Sequence, residues 1–400
     1  MSTHKRSDQS DLKALIDQHK QGDDYLSALD IQIFDGEVPA IIQAIKDKDL
    51  GKKVFFCTGS RTMRKLGFLQ TYQTEFQRQG FEVAHYDDIS PNPTLHNMRT
   101  GVQAAKKFNP DFVFALGGGS VIDSGKVIAC SLGEHDVWDY VKDPSKIEQV
   151  LPVVAVTTTS GTGSHVTPYC VVTDTDTFEK RTLKHTDLLP KLSMVDLAIL
   201  QHLPPSTIAA TGFDVLAHAA EVYTRKDCSP EAAEFCRQSL KYVREHLIAS
   251  YNSDSDADRR GMALADTYAG IALAMIGTHV PHAISHPISG RSPKVDHGTS
   301  LAYVLAETTK VLMEKNDPAL NEKFMQVSSL LGGNSNLVRT LHNYQKLLDI
   351  ETPPRFSADE CEDIYLDTMG YRVGSVNRSP VPLTPREVRS IIYNSMCEDN

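Results

Sequence analysis

Four side chains in the second half of the chain have the chemistry of a transition-metal site. Asp214 and His218 lie four residues apart in GFDVLAHAAE, and His282 and His297 follow in HAISHPISGRSPKVDHG. Residues four apart on a helix share one face, so Asp214 and His218 can offer two ligands to one ion. Sites rich in imidazole suit iron(II), zinc, cobalt or nickel, whereas magnesium and calcium prefer oxygen ligands. We therefore expect this set to hold a divalent transition metal.

Either histidine pair alone has another explanation. The chain contains 15 histidines, and a single Asp-x-x-x-His pair is also typical of a helix surface or a capped core. His286 repeats the four-residue spacing from His282, and the dipeptide His297-Gly298 follows. Two such pairs together favour coordination over the alternative. His286 is the surplus member, and we assign it to proton relay because imidazole titrates near neutral pH.

A glycine-rich stretch upstream could cradle a phosphate. In FALGGGSVIDSGK a hydrophobic run leads into the glycines at 117–119 and then into a helical pattern. With no side chains there, backbone N–H groups and the start of the helix can reach pyrophosphate oxygens. A bare strand-to-helix turn is the alternative, because glycine signals alone are weak. A second segment, VTTTSGTGSHVTP at 156–168, has small hydroxyl residues that suit packing around a ribose or nicotinamide.

The segment CTGSRTMRKLG at 57–67 concerns the choice of coenzyme. It places Gly59, Ser60 and Arg61 after a predicted strand, where an adenosine ribose would lie. None of them carries a carboxylate that would repel a 2′-phosphate, so NADPH is permitted as well as NADH.

The first half of the chain has the pattern of a scaffold for such ligands. Short β-branched or aromatic runs alternate with helical patterns, and these runs lie at 31–34, 53–58, 81–86, 111–117 and 152–158. Alternation of this kind predicts a doubly wound parallel sheet that binds ligands beyond the carboxyl ends of its strands.

The second half has a helical pattern. After the LPP at 203–205, long amphipathic stretches dominate, and the one at 229–247 opens with Ser229 as an N-cap and Pro230 at the first helical position. We predict an α/β dinucleotide-binding domain over 1–200 and an all-helical, metal-binding catalytic domain over 201–400.

Composition excludes several other classes of protein. A chain of 400 residues with 40% hydrophobic and 23% charged residues is typical of a soluble, two-domain globular protein. Apolar stretches such as IALAMIG at 271–277 are too short to cross a bilayer, and the polar start lacks a signal peptide's apolar segment. We therefore expect a cytoplasmic protein without a membrane partner.

Charge and cysteine usage narrow the partners further. The net charge of -10 opposes binding to a phosphate backbone, so we expect no nucleic-acid partner. Seven scattered cysteines without a CxxC pair argue against a disulfide framework or a thiolate zinc site.

Together these motifs resemble the iron-containing (group III) alcohol dehydrogenase family over nearly the whole chain. GGGSVIDSGK resembles that family's pyrophosphate motif, TTSGTGSHVT its nicotinamide-side motif, and PNPT at 91–94 a further segment. GFDVLAHAAE and HAISHP with the later HG resemble its two metal signatures. The resemblance implies a Rossmann-like N-terminal domain, an all-helical C-terminal domain and a catalytic cleft between them, an architecture shared with dehydroquinate synthase.

The resemblance also implies roles for individual residues. It maps the metal ligands onto Asp214, His218, His282 and His297, with iron(II) as the expected ion and zinc or another divalent metal possible, and it implies a homodimer or larger homo-oligomer. The coenzyme-binding residues on this interpretation are Gly59, Ser60, Asn92, Pro93, Gly117, Gly118, Gly119, Ser120, Asp123, Thr158, Thr159, Thr162 and Ser164.

The sequence departs from the family pattern in three places. His165 stands where the GTGSE pattern usually carries an acid, and Gly59 stands where many NAD-preferring relatives have Asp. The loop RSPKVD at 291–296 is about one residue longer than expected and carries Arg291 and Lys294.

The predicted reaction is the interconversion of a short aldehyde and a primary alcohol. The metal would polarise the carbonyl as a Lewis acid, and NAD(P)H would deliver hydride. Arg291 and Lys294 would recognise an anionic tail such as a sulfonate or phosphonate, since arginine donates two hydrogen bonds to such groups. An ordinary solvated loop explains the same two charges.

Two other functions fit the architecture. A cyclase or lyase resembling dehydroquinate synthase also uses a dinucleotide and a metal, but we expect a different set of acid and histidine ligands there. A non-catalytic assembly protein would keep the fold but lose ligands or the glycine turn, and this sequence retains both.

Overall fold

The computed structural model describes residues 2–59, 61–292, 294–350 and 355–398, with side chains from residue 9 onwards. The chain forms two compact units. Unit 1 consists of Met1–Thr159, Ser164–Asp176 and Arg181–Leu203; unit 2 consists of Ser160–Gly163, Thr177–Lys180 and Pro204–Asn400.

Unit 1 is built on a six-stranded parallel sheet with the order β1-β8-β5-β4-β2-β3, and β6 and β7 form a separate two-stranded sheet. The strands are β1 Ile31–Phe34, β2 Lys53–Gly59, β3 Glu82–Ile89, β4 Phe112–Gly117, β5 Val153–Thr157, β6 Tyr169–Thr173, β7 Lys180–Lys184 and β8 Leu192–Asp196.

Both faces of the large sheet are buried. Successive side chains of a strand point to opposite faces, so Phe56 and Phe114 belong to one apolar cluster while Phe55 and Val113 belong to the other. Helices and short 3-10 turns at Pro144–Lys146, Ser164–Val166 and Thr186–Leu188 connect the strands, except that the first two helices precede β1 and the last one follows β8. These helices are α1 Ser2–His19, α2 Asp24–Ala28, α3 Val38–Lys46, α4 Thr62–Lys65, α5 Phe68–Arg78, α6 Leu95–Phe108, α7 Gly119–Cys130, α8 Val137–Lys142 and α9 Leu197–Leu200.

Unit 2 is largely helical. Its helices are α10 Pro205–Thr224, α11 Pro230–Asn252, α12 Asp256–Ile276, α13 Val280–Arg291, α14 His297–Met313, α15 Pro318–Leu330, α16 Leu337–Leu347, α17 Ala358–Met369, α18 Val373–Val376 and α19 Pro385–Met396. The predicted start of α11 is confirmed, because the hydroxyl of Ser229 accepts a hydrogen bond from the N–H of Ala232 at 3.2 Å.

The predicted fold class, a parallel α/β part followed by a helical part, is confirmed. The five predicted strands correspond to β1–β5, but β8 was not predicted although it lies between β1 and β5 in the sheet. β8 reads LSMVD and has neither a regular alternation of polar and apolar residues nor the β-branched run that marks the equally short and buried β5, VVAVT. A short segment without either signal cannot be assigned from its sequence.

Within the described residues, no single helix is long and apolar enough to span a membrane. The pair α12 and α13 has the length and composition only when taken together, and the two helices are bent by 105°. None of the seven cysteines is disulfide-bonded.

Candidate active site

One helix of unit 2 carries two of the expected metal ligands. Asp214 and His218 lie on α10, where the four-residue spacing brings His218 Nε2 to 3.7 Å from Asp214 Oδ1. Both residues are buried. Most residues of α10 from Ile208 onwards are buried, on all sides of the helix. Asp214 and His218 therefore lie in the interior of unit 2.

The other two expected ligands come from α13 and α14. His282 Nε2 lies 3.5 Å and His297 Nε2 lies 4.0 Å from Asp214 Oδ1. The rings of His218 and His282 are stacked, with centroids 4.5 Å apart. Ligand atoms of Asp214, His218 and His282 all lie within 4.8 Å of one another. The three predicted histidines are thus brought around one carboxylate oxygen of the fourth predicted ligand, Asp214.

Gly298 explains how α14 reaches this point. A Cβ atom on Gly298 would lie 1.8 Å from the carbonyl oxygen of Ala210, which is one turn before Asp214 on α10. Only glycine lets the backbone of α14 approach α10 so closely. In the His297-Gly298 dipeptide, His297 is the expected ligand and Gly298 allows the close packing that brings it to the site.

Glu221 is a site residue that the sequence analysis missed. It lies seven residues after Asp214 on α10, is fully buried, and its Oε1 accepts a hydrogen bond from His282 Nδ1 at 2.5 Å. Its Oε2 accepts from the backbone N–H of His279 at 3.0 Å. A carboxylate on one imidazole nitrogen fixes the tautomer and turns the other nitrogen toward a metal. The helical spacing in GFDVLAHAAE could have revealed it.

The electrostatics of the cluster favour positive charge. Burial opposes the ionised carboxylate of Asp214, but the neighbouring His218, His297 and His282 outweigh it and lower the pKa of Asp214 to about 2. Burial also opposes the imidazolium of His282, yet Glu221 and Asp214 raise its pKa to about 9. Two buried carboxylates thus create a negative potential around these imidazoles.

These residues fit a divalent metal. Asp214 Oδ1 and His282 Nε2 are buried, and neither atom has a hydrogen-bond partner among the described residues. Buried polar atoms are normally satisfied, and here both point into the same small space. A mixed carboxylate and imidazole set suits iron(II) or zinc, so a cation would satisfy the atoms that the protein leaves unbonded.

His286 lies beside this cluster without joining it. Its ring centroid is 5.3 Å from that of His297, and its Nδ1 lies 3.4 Å from the carbonyl oxygen of Lys180. A carbonyl only accepts, so Nδ1 carries the proton and Nε2 carries the lone pair. Burial lowers the pKa of His286 well below its usual value, and the charges of Arg372 and Lys180 add to this effect. The imidazole is therefore neutral at physiological pH.

Lys180 is a second residue that the sequence analysis missed. Its side chain is buried, and its Nζ donates to Ser289 Oγ at 3.0 Å. Ser289 lies seven residues after His282, so it points in nearly the same direction, about 20° away, two turns along α13. The ammonium thus lies over the face of α13 that carries the histidines.

Arg291, which was predicted to contact the substrate, is paired with carboxylates of α17. Its guanidinium donates to Asp367 at 2.7 Å and to Asp363 at 2.9 Å, and it lies over the ring of Phe178. Nine positions separate Arg291 from His282, which places the two side chains about 180° apart around α13. Lys294 is exposed. Arg291 therefore fastens α13 to α17, and the substrate role of Arg291 and Lys294 stays a prediction.

The predicted phosphate cradle lies in unit 1, where β4 ends at Gly117 and α7 begins at Gly119. Gly118 is the N-cap of α7 and offers no side chain there, and Ser120 follows in the first turn. A Cβ on Gly117 would lie 2.5 Å from Val121 Cβ, and one on Gly118 would lie 3.0 Å from Thr159 Oγ1. Packing against Val121 therefore demands glycine at 117, and a side chain at 118 would crowd Thr159, so neither position places a side chain of its own at the start of α7.

The neighbouring strand β5 brings further predicted coenzyme residues to the same edge of the sheet. Thr158 donates its N–H to the Gly117 carbonyl at 3.1 Å, and Thr157 Oγ1 donates to the carbonyl of Thr159 at 2.8 Å. Thr162 falls in the segment Ser160–Gly163, which belongs to unit 2.

Asp123 and Lys126, both on α7, hold the segment that follows β5. Asp123 accepts a hydrogen bond from the hydroxyl of Ser164 and another from the N–H of Val171 at 2.9 Å. Lys126 Nζ donates to the carbonyls of Ser164 and Thr167, both at 2.6 Å, and to that of Tyr169 at 2.8 Å. Burial lowers the pKa of Lys126 to about 8. This buried ammonium organises the segment.

The remaining predicted coenzyme residues lie at the ends of β2 and β3. Gly59 is the last residue of β2, whereas Ser60 lies outside the described residues. Asn92 has a left-handed backbone with φ 52°, and the carbonyl of Pro93 accepts from the N–H of Thr173 at 3.1 Å. Carboxyl ends of neighbouring parallel strands are where such folds bind nucleotides.

His165, the departure from the family pattern, is buried in unit 1. Its carbonyl accepts a hydrogen bond from the hydroxyl of Ser193. Burial lowers the pKa of His165 to about 3, and the charge of Lys126 acts in the same direction. A neutral imidazole therefore occupies the position next to the buried ammonium.

Two family models of known proteins match most of this chain. The family model described as "Iron-containing alcohol dehydrogenase" matches residues 33–197, and "Fe-containing alcohol dehydrogenase family, C-terminal" matches residues 208–352. The NAD-dependent methanol dehydrogenase of Bacillus methanolicus is 30% identical over 362 residues, covering 87% of this chain and 94% of that protein.

One further curated relative and one solved structure are also similar to this chain. The NADPH-dependent butanol dehydrogenase of Clostridium saccharobutylicum is 30% identical over 309 residues, covering 75% of this chain and 78% of that protein. Among solved structures, an archaeal halo-thermophilic alcohol dehydrogenase from a Red Sea brine pool has a TM-score of 0.88 and 33% identity, covering 92% of this chain and 97% of that chain.

Proposed function

The chain belongs to the iron-containing alcohol dehydrogenase family, and from this we propose that it is a metal-dependent, NAD(P)H-linked enzyme that interconverts a short aldehyde and a primary alcohol. The observation that carries the proposal is the convergence of three imidazole nitrogens on Asp214 Oδ1, at distances of 3.5 to 4.0 Å.

Asp214, His218, His282 and His297 would hold the metal, which when bound polarises a carbonyl as a Lewis acid. Glu221 contributes by accepting the Nδ1 proton of His282, which leaves Nε2 as the only nitrogen available for coordination. Asp214, His218 and His282 are buried, which strengthens the charge interactions among them, whereas His297 is partly exposed.

The coenzyme would be held in unit 1 by the start of α7 and by the ends of β2 and β5. The dinucleotide supplies the hydride when bound. Backbone N–H groups of the first turn of α7, without a capping side chain, suit the pyrophosphate. The position of Gly59 leaves both coenzymes possible, since it bears no carboxylate.

His286 is the proposed proton relay. Its Nδ1–H is donated to the Lys180 carbonyl, so Nε2 can take the hydroxyl proton of an alcohol or return one to it. Because its pKa is well below the usual value, the neutral base is already present for alcohol oxidation. In the reductive direction, solvent must resupply each proton that His286 passes on.

We propose Lys180, in place of Arg291, as the cation that would recognise an anionic tail on the aldehyde. Burial lowers the pKa of both His286 and His297, and the charge of Lys180 acts in the same direction on each. Its ammonium contacts Ser289 Oγ, on the face of α13 that carries His282 and His286. Sulfonate and phosphonate oxygens pair strongly with such a cation.

The substrate proposal is tested by comparing kcat/KM for sulfoacetaldehyde and phosphonoacetaldehyde with that for propanal. In Lys180→Met we expect the values for the anionic aldehydes to fall roughly 10- to 100-fold and the value for propanal to stay within about threefold. Exposed Lys294→Met is the matched control and should change neither. Equal preference for all three aldehydes in the wild type would remove the anionic tail from the proposal.

The enzyme proposal is tested by metal analysis of anaerobically purified protein, followed by an aldehyde panel with NADH and NADPH side by side. We expect bound iron or zinc and oxidation of coenzyme that depends on aldehyde. Chelator-stripped protein should lose activity and regain it when the metal is restored. Undiminished turnover after stripping would contradict the role of the four ligands.

A further inference from the structure

The segment Ser160–Gly163 is wedged between two helices of unit 2. A Cβ on Gly161 would lie 2.6 Å from Thr211 Cβ on α10, and one on Gly163 would lie 2.5 Å from the Cα of Gly270 on α12. Gly163 also has φ +60°, which L side chains rarely adopt. No side chain larger than hydrogen fits at either glycine, so the position of this turn is fixed by close backbone contacts.

Asp266 on α12 is the polar anchor of this turn. Its side chain is buried, and its Oδ1 accepts a hydrogen bond from the N–H of Gly163 at 2.8 Å. Burial and the charge of Asp214 raise the pKa of Asp266 to about 8, although the backbone N–H groups of Gly163 and Gly161 act in the opposite direction. The carboxyl of Asp266 thus accepts hydrogen bonds from the backbone of both glycines that flank Thr162.

The same turn packs on the helix that carries two of the expected metal ligands. Gly161 lies against Thr211 of α10, which is three residues before Asp214 and seven before His218. Residues seven apart lie two turns along one face of a helix. One buried carboxyl on α12 therefore holds the glycine turn against the helix that carries Asp214 and His218.

We propose that Asp266 is a positioning residue that fixes the Ser160–Gly163 turn against α10, in the conformation that receives the nicotinamide half of the coenzyme. The inference rests on the proposed function, together with the sequence-based expectation that the segment 156–168 packs around a ribose or nicotinamide. A carboxyl oxygen accepts from backbone N–H groups whether or not it is ionised, so the role depends on the acceptor atom. Asparagine retains that atom and alanine does not.

The experiment measures the dissociation constant of NADH and NADPH by fluorescence titration, with KM for coenzyme, kcat and metal content alongside. Asp266→Ala leaves buried N–H groups unpaired, and we expect its coenzyme dissociation constant and KM to rise roughly 10- to 100-fold. We expect kcat at saturating coenzyme to fall less than KM rises, and metal content to match the wild type. Asp266→Asn should recover binding to within about threefold.

Thr267→Val is the matched control, because Thr267 is equally buried on α12 and its hydroxyl donates to Ala263 of the same helix at 2.8 Å. It should bind coenzyme as the wild type does. If Asp266→Ala does not fold, Gly163→Ala displaces the turn without touching Asp266 and should show the same coenzyme defect with normal metal content.

Coenzyme binding in Asp266→Ala within twofold of the wild type would overturn the inference, as would an asparagine variant as impaired as the alanine variant. A wild-type protein that binds neither coenzyme would overturn the proposed function together with this inference. If the wild type binds coenzyme and the Asp266 variants bind it with the same dissociation constant, the inference is overturned and the proposed function stands.

Discussion

The hydrogen bond between Glu221 and His282 determines which imidazole nitrogen faces Asp214. Glu221→Gln keeps the shape of the side chain but removes its charge and one of its two acceptor oxygens, which serve His282 and the N–H of His279. We expect metal affinity to fall about 10- to 100-fold, as is usual when the partner of a ligating histidine is lost. Competition with a chelator of known affinity measures this directly.

Glu234→Gln provides the control for that measurement. Glu234 accepts hydrogen bonds from Arg237 and Gln238 on α11 and contacts none of the ligands. Its metal affinity should equal that of the wild type. An equal loss in both variants would mean that the effect of Glu221 is general destabilisation and not control of His282.

At the scale of residues, the metal ligands could be predicted from the sequence, whereas the buried residues that hold neighbouring groups in place could not. Asp214 and His218 share a helical spacing, and the HG dipeptide marks His297, so residue types alone point to them. Asp266 and Lys180 have no such signature, because each acts through partners far away in sequence, Gly163 and Ser289 respectively. Buried hydrogen bonds of that kind follow no periodicity, and only the packed chain reveals them.

At the scale of elements, the approach of α14 to α10 sets the position of His297. Gly298→Ala places a methyl group 1.8 Å from the Ala210 carbonyl, so the first turn of α14 must move away from α10. We expect weaker metal binding and a loss of stability of about 1–3 kcal/mol, the usual cost of overpacking. Chelator competition and urea unfolding measure the two effects.

Gly374→Ala is the matched substitution, since nothing lies within 4 Å of a Cβ built there. It should change neither metal affinity nor stability by more than about 0.5 kcal/mol. Wild-type metal affinity in Gly298→Ala would show that the contact between α10 and α14 does not position the ligand.

The segment after β5 depends on one buried ammonium. Lys126→Met keeps the length of the side chain but leaves the carbonyls of Ser164, Thr167 and Tyr169 without this donor. Since a buried carbonyl without a partner costs about 1–3 kcal/mol, we expect a loss of at least about 3 kcal/mol in urea unfolding. Exposed Lys106, which donates to Gly133, gives the control Lys106→Met. A loss no larger than in the control would contradict the organising role of Lys126.

Strand positions were predictable where a run was rich in β-branched or aromatic residues. β5 (VVAVT) was predicted on that basis, whereas the equally short and buried β8 (LSMVD) has one β-branched residue and was missed. β1 to β5 begin and end within three residues of the predicted runs, whereas β8, which lies between β1 and β5 in the sheet, was not predicted. The side on which Arg291 lies was not predicted either. Arg291 is close to His282 in sequence, but on a helix nine positions place its side chain on the opposite face. Its carboxylate partners on α17 come from more than 70 positions away.

For the whole molecule, the metal should contribute to folding as well as to chemistry. Its ligands come from three helices, and α10 ends at Thr224, well before α13 begins at Val280. A ligand that binds only the folded state at 100 times its dissociation constant stabilises it by about 2.7 kcal/mol. In a chain of this size that corresponds to a rise in Tm of roughly 3–5 °C. We expect calorimetry of stripped protein to show this rise when iron(II) or zinc is restored. His282→Ala should abolish the rise, because it removes a ligand, whereas exposed His342→Ala should retain it. An equal rise in His282→Ala would place the stabilising ion elsewhere in the protein.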